Sequence, residues 1–161
     1  MQRVGNLRRM ATATRSGAPL NDRELAAWRG LLRTHRDIVG RLDAELERDH
    51  GLPLSSYEVL ITLADAPDGR LRMGELADAL LLSRSGLTRL VDRVKSQGLV
   101  DRQRCPDDAR GYFAVITPAG RKLLRSARPA HLAGVREHFV RRLDPDQLEA
   151  LASVWRRLGL T

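Results

Sequence analysis

The sequence predicts a mainly α-helical chain with a small two-stranded β wing, a winged helix-turn-helix flanked by long helices at both ends. Three observations predict it. Apolar residues recur at three-and-four spacing along most of the chain. The period shifts to near two across Leu99–Cys105 and Tyr112–Thr117, which read as a hairpin. Just before that hairpin stand two short helical stretches joined by a brief break.

Each element follows in order. Residues 1–20 are small, polar and basic without a period, and read as a flexible arm. Asn21 and Glu24 have capping-box spacing and open a helix to about His50, with Gly51 as its stop. Its stripe runs Leu25, Trp28, Leu32, Val39, Leu42 and Leu46, with His35 in the gap. A stripe that long usually buries against another chain or another long helix. Ser55, with Glu58 three residues on, opens a second helix to about Ala66, and Pro67–Gly69 is a turn. A short helix over roughly Gly74–Leu81 turns Leu76, Ala77 and Leu80 inward, although Met73 and Gly74 cap its start poorly. Ser83 caps the next helix, whose core side is Leu87, Leu90, Val91 and Val94 and whose stop is Gly98.

Pro106–Gly111 forms the hairpin tip. Thr117 and Pro118 then start a helix to about Arg142, with Pro129 inside it as a kink. Asp144, Pro145 and Gln147 open the last helix, with Leu148, Leu151, Val154, Trp155 and Leu158 as its inner face. The chain thus divides into the arm 1–20, a helical region from 21–50 and 118–161, and the winged unit 51–117.

At 161 residues the chain makes about one domain with a real core. No apolar run approaches the roughly 18 residues of a membrane span, and no apolar stretch follows Arg3, Arg8 and Arg9 to make a signal peptide. The lone cysteine, Cys105, excludes an internal disulfide and fits the cytoplasm. The net charge of +8 points toward a polyanion, yet it gathers near the two ends of the chain. Arg84–Arg110 still carries seven basic side chains against four acids.

The helix after Ser83 poses the functional question. Opposite its core side it presents short hydroxyls and arginines. Ser83, Ser85, Thr88 and Gly86 allow close approach to a duplex. Arg89 is the expected base reader, because its planar fork matches guanine O6 and N7. Arg84 and Arg93 are expected on phosphates, which set register without reading sequence. Asp92 repels phosphate and should pair with an arginine such as Arg102.

No nucleophile elbow, zinc-protease motif or phosphate loop is present, so an enzyme is not expected. His131 and His138 lie about 10 Å apart on an ideal helix, too far for one metal ion, and neither metal nor cofactor is expected. Cys105 has Arg102, Arg104 and Arg110 nearby, a setting that favours thiolate and therefore a redox-sensing variant.

With these elements in place, the chain resembles the MarR (multiple antibiotic resistance) family of transcriptional regulators. Glu75–Arg102 and Asp107–Gly120 carry the resemblance, the latter through an Asp-x-Arg at Asp108-Ala109-Arg110 and a Thr-x-x-Gly at Thr117 and Gly120. It covers about residues 21–160. It implies a homodimer joined through its first and last helices, with a recognition helix in the major groove and Arg110 in the minor groove, oriented by Asp108. It also implies a ligand pocket, for which Trp28, Leu31, His35 and Tyr57 are candidate liners. The expected function is a repressor that binds an inverted repeat of double-stranded DNA, half-sites about one helical turn apart, and is relieved by a small apolar or phenolic effector. The alternative is a protein-interaction module on the same fold.

Overall fold

The computed structural model describes residues 19–105 and 108–159, without the side chains of 108–110. The expected arm therefore lies almost wholly outside the described residues, as does part of the hairpin tip. Six α-helices are described: α1 (Asp22–His50), α2 (Leu54–Asp65), α3 (Met73–Ala79), α4 (Arg84–Ser96), α5 (Pro118–His138) and α6 (Pro145–Arg157). Three strands accompany them: β1 (Arg70–Arg72), β2 (Val100–Cys105) and β3 (Asp108–Ile116). The chain divides into two units at Arg33–Thr34, within α1.

Most boundaries sit where the capping chemistry puts them. The Asn21 N–H donates to the Glu24 carboxylate at 2.8 Å, and the Glu24 N–H to the Asn21 side-chain amide oxygen at 3.0 Å. Gly51 ends α1 at φ +60°, a conformation glycine adopts without strain. Ser83 accepts the Gly86 N–H, Thr117 the Gly120 N–H and Asp144 the Gln147 N–H.

α2 departs from the expectation. Its cap is Pro53, with no side-chain bond, and the Ser55–Glu58 box does not form. Asp43 of α1 instead accepts the Leu54 N–H at 2.8 Å, so an acid from the neighbouring helix satisfies the open end. α3 starts after Arg72, and Glu75 reaches back to the Arg72 N–H at 3.0 Å, closing the start that Met73 and Gly74 are expected to cap poorly.

The sheet has three strands rather than two, in the order β1-β3-β2, all antiparallel. β1 is three residues long and pairs Leu71 with Ala114, too short to show a period in sequence. β3 begins at Asp108, four residues earlier than the alternation suggests, because Asp108 pairs with Cys105 at the end of β2. The register shifts between Arg104 and Cys105. α5 closes at His138, and Val140–Arg142 forms a separate 3-10 turn.

The core lies among the second half of α1, α2, α3, α4, the sheet and the start of α5. Leu46, Leu60, Leu63, Leu76, Leu87, Val91 and Val94 are among its fully buried members. Gly120 lets the start of α5 lie on the Leu99 carbonyl, which a Cβ at that position would strike. α6 buries no residue: Val154 is 47% exposed, and Leu158, which caps its end, is 62% exposed. Among the described residues no helix is long and apolar enough to cross a membrane.

Candidate nucleic-acid interface

α4 carries the candidate surface, and its orientation follows from its sequence. Leu87, Val91 and Val94 sink into the core with Leu90 half-buried, which turns the opposite side outward. Ser83, Arg84, Ser85, Thr88, Arg89, Asp92 and Arg93 are all exposed, and Gly86 is half-buried.

The exposed side chains of α4 divide between two grooves along its flanks. On the α2 side, a groove of about 330 Å³ is lined by Ser55, Glu58, Leu80, Leu82, Arg89 and Arg93. On the wing side, one of about 660 Å³ is lined by Arg84, Thr88, Arg102, Cys105 and Tyr112, with Glu75 and Asp78 of α3. Arg84 and Arg89 thus stand at opposite edges of one helix face.

Neighbouring groups hold these side chains in place. Arg93 donates to the Ser55 hydroxyl at 2.9 Å. Arg102 reaches from β2 to Asp92 at 3.1 Å and to the Thr88 carbonyl at 3.4 Å, joining the wing root to α4. This is the partner expected for Asp92, and it leaves the acid neutralised within a basic surface. Thr88 Oγ1 donates to the Arg84 carbonyl at 2.9 Å, while Ser83 and Ser85 hydroxyls stand 3.3 Å apart.

Two acids near the site are shifted. The Lys95 ammonium, 2.8 Å away, and the Arg102 N–H hold Asp101 below the usual carboxylate range. Partial desolvation by the neighbouring protein pushes the exposed Glu58 carboxyl up, with His35 opposing.

The wing is present as a β2–β3 hairpin. Asp108, Ala109 and Arg110 belong to β3, but the side chains of Asp108 and Arg110 lie outside the described residues. Cys105 ends β2 at 4% exposure, a poor position for a reactive thiol. Of the expected pocket liners, Tyr57 is buried and its ring packs 4.4 Å from that of His131. His35 is exposed in the same unit. Trp28 and Leu31 are 53% and 44% exposed in the other unit. Among the described residues no group of three metal-ligating side chains converges.

Sequence reasoning missed three features here. The Ser55 hydroxyl, expected to cap α2, instead accepts from Arg93. The short β1 brings Arg70 and Arg72 over the Phe113 ring, 5.1 and 5.6 Å from its centre. Leu81, in the turn before α4, takes φ +54°. No spacing rule marks any of them.

A tight two-helix turn, an exposed second helix and an antiparallel hairpin define a winged helix-turn-helix protein. Residues 50–111 match the model of the MarR family. AbsC, a MarR family transcriptional regulator from Streptomyces coelicolor, is 35% identical in sequence and superposes with a TM-score of 0.82, covering 88% of this chain and 95% of that one. Sco3205 from the same organism, a MarR family regulator solved in complex with DNA, is 37% identical with a TM-score of 0.83 over 88% and 89%. The regulator MhqR of Bacillus subtilis is 28% identical over 141 residues, 88% of this chain and 94% of its own. The chain belongs to the MarR family of transcriptional regulators.

Proposed function

We propose that the chain is a homodimeric repressor that reads an inverted repeat in double-stranded DNA. The exposed hydroxyl and arginine face of α4 carries this reading. Arg89 reads a base edge, Arg84 and Arg93 grip phosphates, and Ser83, Ser85, Gly86 and Thr88 admit the duplex closely. Arg110, oriented by Asp108, enters the adjacent minor groove, where a narrow A·T-rich stretch concentrates negative potential. Support comes from Sco3205, at 37% identity, whose structure is a complex with DNA. The repressor role is supported by YetL of Bacillus subtilis, named a transcriptional repressor and 28% identical over 102 residues.

The dimer reading rests on the unburied apolar surfaces. α6 exposes Val154 and Leu158, α5 exposes Leu132 at 49%, and the first unit exposes Trp28 and Leu32. A second copy covers them, and a small apolar or phenolic effector bound in this region shifts the two winged units. Coupling of this kind is typically about 1–3 kcal/mol.

Selection of duplexes from a randomised pool tests the proposal. The expected product is a two-fold symmetric sequence with half-sites about one helical turn, roughly 34 Å, apart. Absence of enrichment, or an asymmetric site bound by one protomer, contradicts it.

A further inference from the structure

Leu81 lies in the turn between α3 and α4 at φ +54°. Its N–H bonds to the Asp78 carbonyl at 3.2 Å, and the Leu82 N–H to the Ala77 carbonyl at 2.9 Å. These two bonds are the Schellman closure of α3, in which the left-handed position suits glycine or asparagine. A leucine there is strained. The other described non-glycine residue with positive φ is Asp68, a type that tolerates that region.

The strain brings no packing in return. Leu81 is 92% exposed, whereas the next most exposed large apolar side chain among the described residues, Leu158, is 62% exposed. Leu80 packs against the core and Leu82 lines the groove beside Arg89, so the leucines on either side have structural work. A strained residue that gains nothing locally points to a contact made elsewhere.

We propose that Leu81 is an apolar contact to the DNA duplex at the leading edge of α4. This rests on the DNA-binding reading above. Leu81 stands two residues before Ser83, the cap of α4, and three before the exposed Arg84. A partner for this corner must satisfy arginines and a bare isobutyl group together. A duplex does both, because phosphates alternate with apolar deoxyribose edges and thymine methyls project into the major groove. The surfaces assigned to the second copy lie on other elements.

The test uses the full chain on the duplex selected from the randomised pool. Leu81→Gly and Leu81→Asn remove the strain and the side chain, and Leu81→Met keeps an apolar group. The glycine and asparagine variants are expected to melt no lower than wild type, yet to bind about tenfold more weakly, the scale of one buried leucine. Leu81→Met is expected to retain binding. Replacing thymine by deoxyuridine distinguishes the two apolar sources. A loss seen with wild type but not with Leu81→Gly assigns the methyl, and an equal response in both assigns the sugar edge. Wild-type affinity in both the glycine and asparagine variants overturns the proposal. A wild-type chain that enriches no duplex overturns the DNA reading itself, and Leu81 with it.

Discussion

Gly120 shows what one residue can fix. Its missing Cβ leaves room for the Leu99 carbonyl, and its N–H completes the Thr117 cap at 3.0 Å. Thr117 in turn donates to the Gly98 carbonyl at 2.8 Å, so the Thr-x-x-Gly motif locks the end of β3 against the end of α4. Gly120→Ala should cost about 2–3 kcal/mol, the scale of a forced overpacking. Urea denaturation checks this, and an unchanged midpoint contradicts it. His131 offers a second residue-scale prediction. Burial holds its pKa below the usual 6.5, and its Nδ1 is buried without a partner. The folded state therefore binds this proton less readily than the unfolded chain does. The stabilising difference is complete above about pH 6.5 and is lost as pH falls, levelling once the folded form also protonates. His131→Phe should flatten that part of the stability profile between pH 7 and 5, measured at fixed protein concentration; an unaltered slope refutes it.

At the scale of elements, α6 is the telling case. Its cap was legible in the sequence, because Asp144, Pro145 and Gln147 act locally. Its burial was not. The stripe that reads as an inner face buries no residue, because a sequence pattern shows that a face is apolar and not which chain covers it. The account assigns that cover to a second copy. Val154→Asp with Leu158→Asp should then convert the protein to monomer, read by light scattering, while helix content in the winged unit persists. A dimer that survives both charges places the interface elsewhere. The cap of α2 and the strand β1 were not legible for related reasons. Asp43, eleven residues from Leu54, supplies the cap of α2, and β3, some forty residues on, makes β1 a strand. Local spacing carries no information about either partner.

Across the whole molecule, the winged architecture was legible because each of its parts has a local signal: Ser83 as cap, Gly98 as stop, and a period of two beyond it. The exposed face of α4 was legible for the same reason, since burying Leu87, Val91 and Val94 forces Arg84, Thr88 and Arg89 outward. The supports were only partly so. Arg102 joining β2 to Asp92 was expected from charge, whereas Ser55 holding Arg93 depends on how α2 crosses α4. These supports tie the root of the wing to α4, as the proposed reading of two adjacent grooves requires.

Fluorescence anisotropy of the wild type, Arg89→Ala and Arg110→Ala on the selected duplex and on a scrambled one, at two salt concentrations, tests the central claim most directly. The account predicts tight, salt-steep and selective wild-type binding. Arg89→Ala should lose about 1–3 kcal/mol on the selected duplex and little on the scrambled one. Arg110→Ala should weaken binding strongly with dimer and helix content intact. Equal, weak binding of all three proteins to both duplexes would contradict the account and bring forward a winged module that docks another protein.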